Sequence, residues 1–186
     1  GRISGIADLL AGIRRLVFQM GPAETLQILR TLTRQTKRPM PSLAMETFWS
    51  RAPVAIGPVA AKYLLRPQLP KAAGPTPDSL HDELAQRLLQ GPVIYDLCLQ
   101  RYRNPESTPI ENARPAWASP HEKIAELVLL QQDLNDDTGQ ADSRFVQMQA
   151  YNPWQVNTPD FVPIGNMNRA RKSVYAASAA ERQEQN

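Results

Sequence analysis

Arg171, Tyr175 and Arg182 lie near the C-terminal end of this 186-residue chain, with Tyr175 four residues after Arg171 and Arg182 seven further on. Side chains four apart share one face of an α-helix, so a helix here sets the Arg171 guanidinium beside the Tyr175 phenol. Free tyrosine has a pKa near 10, and a nearby cation favours its phenolate. A tyrosine phenolate is a known axial ligand of haem iron, which makes Tyr175 a candidate iron ligand and Arg171 its charge partner. Arg182 falls close to two turns beyond Tyr175, on the same side, where it would meet a porphyrin propionate. The same spacing also describes a surface helix with one aromatic anchor and solvated arginines.

Other chemistries lack their residues. The nine glycines are scattered and form no phosphate loop. No nucleophile elbow is present, and Cys98 has no histidine at supporting spacing. A single cysteine excludes an intramolecular disulfide and a cysteine-rich metal site, and it favours a reducing compartment. His81 in SLHDE and His121 in SPHEK read as solvated surface residues, since neither has a second ligand at metal-like spacing. Asp133, Asp136 and Asp137 in DLNDDTG read as a hydrated turn between strands, without the downstream glutamate of a calcium loop. Trp49, Trp117 and Trp154 read as core or rim aromatics. The net charge of +3 is spread along the length, so no segment reads as a nucleic-acid arm. No apolar run approaches the roughly 18 residues of a membrane span.

The elements that must position the candidate ligand follow from hydrophobic spacing. Ile6, Leu9, Leu10, Ile13, Leu16, Val17 and Met20 predict an amphipathic helix over about 5–20. Gly21-Pro22 stops it and opens a second helix over about 22–37, with Arg30, Arg34, Lys37 and Arg38 on or after it. From Pro39 the period changes, and Met45–Arg51 and Val59–Arg66 read as strands. After the proline-rich stretch 67–77, Ser79 with Asp82 predicts a capped helix over 79–90, ended by Gly91-Pro92. Strands are expected at Val93–Tyr102, 122–132 and Phe145–Tyr151, followed by a loop and a C-terminal helix over 152–186. The order predicts an α+β fold with a mainly antiparallel sheet, in one domain over 1–186: helices in 1–38, strands in 39–151 with one inserted helix, and a final helix.

The C-terminal stretch resembles the haem-dependent catalase-like family, which includes catalases and catalase-related allene oxide synthases. In that family an aromatic-Ser-Pro turn and a V-P-x-I-G-like segment lead into a helix carrying R-x-x-x-Y-x-x-T-x-x-x-R. Ala150-Tyr151-Asn152-Pro153 is similar to the turn, Val162-Pro163-Ile164-Gly165 to the loop, and Arg171, Tyr175, Ser178 and Arg182 to the helix. The resemblance implies that Tyr175 is the proximal ligand of a haem b, that Arg171 is its charge partner and that Arg182 contacts a propionate. It also implies that Glu46–Arg66, Val93–Gln100, Thr108-Pro109-Ile110-Glu111 and Leu127–Gln132 belong to a catalase-like β-barrel. About two thirds of the chain takes part. The implied substrate is hydrogen peroxide or an organic (lipid) hydroperoxide, in a cytoplasmic oxidoreductase, with a homo-oligomer left open.

The chain departs from the family in three ways. No R-x-x-x-H-x-x-G motif supplies the distal histidine, and neither His81 nor His121 fits it. The acidic and histidine positions after the tyrosine are Ala177 and Ala179. Pro163-Ile164-Gly165 with Asn168-Arg169 also resembles an earlier strand of the family, a register in which Tyr175 would not be the ligand. Peroxide cleavage needs a general base to move a proton between its oxygens, so a chain without the distal histidine is expected to hold haem yet turn over peroxide poorly. With Gly at position 1, the expectation is a downstream portion of a longer polypeptide. The alternative expectation is a haem-free interaction module, whose stripe Ile6–Met20 and basic Arg30–Arg38 face dock on a partner or an anionic membrane surface.

Overall fold

The computed structural model describes residues 6–36, 39–70, 74–149, 152–156 and 158–184. The chain divides into two compact units, Gly1–Met40 and Pro41–Asn186, a break close to the end of the expected helical region. In the first unit, helices α1 (Ile6–Met20) and α2 (Pro22–Thr36) form where the apolar spacing predicts. Gly21 joins them at φ 89, a left-handed conformation that suits glycine. Thr25 Oγ1 donates back to the Gly21 carbonyl at 2.8 Å, which tightens the junction.

The second unit is α+β. It contains β1 (Phe48–Trp49), β2 (Val54–Ile56), β3 (Val59–Pro67), α3 (Leu80–Gln90), β4 (Val93–Arg101), β5 (His121–Leu129), α4 (Asp137–Met148), β6 (Phe161–Pro163) and α5 (Asn166–Glu184). All strand pairings are antiparallel, in the order β5-β4-β3-β2-β6, with β1 alongside β3. Among the described residues the sheet is open, with β5 and β6 at its edges, and does not close into a barrel.

Cross-strand partners project to the same face of a sheet. The register Lys62↔Gln100↔His121 and Trp49↔Leu64↔Cys98 therefore collects these side chains on one face. Phe48, Leu65 and Leu97 share the other, with Tyr63 and Leu99. That second face carries the core: Val93 and Tyr95 are buried with Ala44 and Leu88, flanked by Leu65, Leu84 and Leu129. Burial pushes the Tyr95 phenol pKa up, and its hydroxyl donates to the Leu43 carbonyl at 2.9 Å. Ser79 caps α3 as expected, its Oγ accepting from the Asp82 amide at 3.1 Å.

Four sequence expectations are corrected. The strand expected over Phe145–Tyr151 gives way to a helix in its described part: Asp137–Met148 is helical, because Asp136 acts as N-cap and accepts the Gly139 amide at 2.6 Å. The three-member alternation of Val146, Met148 and Ala150 is too short to identify a strand, and Val146 and Met148 are exposed. Ala150 and Tyr151, which carry half of the turn compared with the catalase-like family, lie outside the described residues. DLNDDTG accordingly opens a helix rather than linking two strands. Met45–Arg51 shrinks to Phe48–Trp49, since Ser42 caps a short helical turn at Leu43–Met45 and Arg51 turns the chain at φ 59. Finally, Phe161–Pro163 is a strand paired with β2, where the sequence predicts a loop.

An ion cluster ties β3, β4 and β5 together on the surface. Lys123 Nζ reaches Asp96 at 2.8 Å and Glu126 at 2.6 Å, and the Gln68 amide donates to both carboxylates. The hydrogen bond from Lys123 is the main cause holding both carboxyl pKa values below their usual range, and Asp96 in turn raises that of Lys123. A carboxylate with a depressed folded-state pKa contributes stability above its ordinary pKa and loses it as pH falls through the lowered value. Wild-type stability should therefore fall below about pH 4 more steeply than that of Asp96→Asn, read by urea unfolding across the acid range. Parallel acid profiles would remove the cluster from any role, and its exposure keeps the expected effect small.

Candidate functional site

Helix α5 is set against the sheet at its first turn. Gly165 precedes it at φ 86, and a Cβ there would meet the Ile110 carbonyl oxygen at 2.6 Å. This close backbone approach needs glycine. Asn168, buried at 3% exposure, donates through Nδ2 to the carbonyls of Pro53 (2.7 Å) and Ile164 (2.8 Å). Arg169 grips Glu111 through both guanidinium nitrogens, at 3.0 and 2.6 Å. That hydrogen bond holds the Glu111 pKa below the usual carboxylate range. Asn168 and Arg169 thus sit in a helix, and the alternative comparison of these residues with a strand is not what the backbone adopts.

Beyond this anchor, Arg171 and Tyr175 meet as their spacing predicts. Arg171 Nη2 donates to the Tyr175 hydroxyl at 2.8 Å, and the guanidinium carbon lies 5.2 Å from the ring centroid. Arg171 Nη1 also approaches Asn168 Oδ1 at 3.4 Å. The result is a polar chain running from the Pro53 carbonyl through Asn168 and Arg171 to the phenol oxygen. The Trp154 ring packs edge-on against Tyr175, with centroids 6.2 Å apart and planes at 67°. Arg182 continues the same helix, and its side chain lies outside the described residues. Asn168 was missed in the sequence, although its place three residues before Arg171 and seven before Tyr175 puts it on their helix face.

A cavity of about 230 Å³ adjoins Arg171 and Asn168, walled by Phe48, Trp49, Tyr63, Leu65 and Pro163. No histidine borders it. The donor chemistry here fits a ferric porphyrin: one phenol oxygen, held by a guanidinium, backed by an indole. The space is another matter. At about 230 Å³ the cavity is below the roughly 300–1,000 Å³ of small-molecule pockets, and Tyr175 does not line it. The described residues alone do not enclose a macrocycle.

A second cavity, about 460 Å³, opens beside the sheet face that carries Trp49, Lys62, Gln100 and His121. Trp117 forms a fixed wall: its indole nitrogen donates to the Pro109 carbonyl at 2.8 Å, and Gln100 Nε2 donates to the carbonyls of Trp117 and Ser119 at 2.9 and 2.7 Å. Lys62 Nζ lies 4.7 Å from the Trp117 ring centroid. His121 is exposed, as expected, and packs edge-on against Trp49. His81 is exposed at the start of α3. Among the described residues no group of three or more His, Cys, Asp or Glu side chains is placed to hold a metal ion. None of their helices is long and apolar enough to cross a membrane. Compared with known proteins, the chain matches no family model and no curated protein.

Proposed function

We propose that the chain is a haem-binding protein of the catalase-like kind, with Tyr175 as the iron ligand, Arg171 as its hydrogen-bonding partner and Arg182 at a propionate. In this reading the open sheet is part of a β-barrel, and the substrate is hydrogen peroxide or an organic hydroperoxide. The observation that supports it is the 2.8 Å bond from Arg171 to the Tyr175 hydroxyl, within a segment whose spacing resembles the family's proximal helix. A bound haem would supply the redox chemistry for peroxide. The protein's part is to hold the phenol oxygen in place through Asn168 and Arg171 and to back its ring with Trp154. The cavity at Arg171 offers no histidine to act as general base, so haem binding rather than fast turnover is the expected property. Titration with ferric haemin should show saturable uptake of one equivalent per chain in the visible spectrum. Uptake without saturation, as on a generic apolar surface, would overturn the assignment.

A second reading has its own support. On α1, Phe18 is 93% exposed and Leu10 59% exposed, beside Arg14 and Arg15. Apolar side chains next to cations on one helix suit the interface of an anionic membrane. Here the chain is a haem-free module that docks by α1. Co-sedimentation with phosphatidylserine-containing vesicles at low salt should then retain the wild type and lose Phe18→Ser. Equal recovery of both proteins in the supernatant would dismiss it.

A further inference from the structure

The cavity beside Lys62 shares Trp49 with the one at Arg171 but has a distinct chemistry. Its volume, about 460 Å³, lies within the range of small-molecule pockets. Three cationic side chains, Arg51, Lys62 and Arg114, line it and no carboxylate does. Trp49 presents aromatic surface there, at 59% exposure. The opposite wall is rigid, because the Trp117 indole and both carbonyls of its loop are hydrogen-bonded. Arg51 is the one non-glycine described residue with a left-handed backbone, at φ 59. Strain of that sort tends to be kept where a site needs it; here it sets a guanidinium at the cavity's rim. Lys62 is partly buried, and burial pushes its ammonium pKa down without an opposing carboxylate.

We propose that this groove binds a small planar aromatic carboxylate, the ring lying on the exposed Trp49 and the carboxylate on Lys62 and Arg51. An anion there restores to Lys62 the charge partner it lacks among the described residues. Charge-assisted hydrogen bonds are the strong ones, and a ring satisfies aromatic walls better than a flexible chain, which loses more freedom on binding.

The three indole N–H signals of the ¹⁵N-labelled chain separate this site from the one at Tyr175. Naphthalene-2-carboxylate should shift the signals of Trp49 and Trp117 and leave that of Trp154 in place. It should bind about tenfold more tightly than naphthalene-2-carboxamide, the difference one charged hydrogen bond makes. Lys62→Met should bring the carboxylate down to the affinity of the amide, and Lys62→Arg should restore most of the difference. Arg51→Met, on the exposed rim, should weaken the carboxylate severalfold and leave the sheet intact, which keeps the test valid if Lys62→Met does not fold. Equal affinity for carboxylate and amide, equal affinity for hexanoate, or a Trp154 shift in step with Trp49 would each overturn the proposal. Shifts at Trp49 and Trp117 in a chain that takes up no haemin would leave this site standing and remove only the reading at Tyr175.

Discussion

Tyr175→Phe is expected to abolish saturable haemin uptake while leaving the fold unchanged. Phenylalanine keeps the ring that packs edge-on against Trp154 and deletes only the oxygen that Arg171 holds at 2.8 Å. Loss of a group that merely orients a metal ligand costs a site about 10–100-fold in affinity. That is the magnitude expected for Arg171→Met, which removes the donor and leaves the phenol. Loss of the ligand atom should cost more, beyond about 100-fold. The order of the two variants therefore carries the assignment. If Tyr175→Phe binds haemin as tightly as wild type, Tyr175 is not the ligand, whatever Arg171→Met does. Thermal unfolding of each variant checks that the helix still docks.

Gly165→Ala should cost the fold heavily in stability. Two costs add at this position. A left-handed backbone costs a non-glycine residue roughly 1–2 kcal/mol, and the new Cβ would press on the Ile110 carbonyl oxygen at 2.6 Å. Overpacking of this kind typically adds about 1–3 kcal/mol. A total near 3 kcal/mol corresponds to a fall in Tm of roughly 6–12 °C for a chain of this size. Gly57→Ala is the control: its φ of 57 is also left-handed, yet nothing lies within 4 Å of the added Cβ. It should show the backbone cost alone, about 1 kcal/mol. Equal losses in the two variants would mean that the loop at Ile110 yields freely. Because Gly165 introduces the helix that bears Arg171 and Tyr175, its loss should also weaken whatever that pair binds.

Much of this fold was legible because hydrophobic periodicity runs long in some segments and not in others. Helices α1, α2 and α3 each show several turns of apolar spacing, and Ser79 and Gly21 mark their limits. Strands β3 and β4 show their alternation over nine residues each. The misread segments are short or contradictory. Strands β1, β2 and β6 have two or three residues, and their existence depends on pairing that no local pattern records. Helix α4 carries exposed Phe145, Val146 and Met148, so its apolar residues do not trace a buried stripe, and only the Asp136 cap announces it. The Arg171–Tyr175 contact was legible for a simple reason: four residues on a helix fix the neighbour. The cationic aromatic groove was not, because its members lie between residues 49 and 167 and meet only through the register of β1, β3, β4 and β5 with the loop at Trp117.

The chain's one thiol, Cys98, is fully buried at the centre of β4, with Arg66 Nη2 at 3.3 Å from its sulfur. Two folded copies cannot therefore cross-link through it, however oxidising the solution, and a maleimide or disulfide reagent finds nothing to attack until its cover opens. Labelling at that sulfur becomes a clock: its rate counts how often the structure around β4 opens, with no engineered probe required.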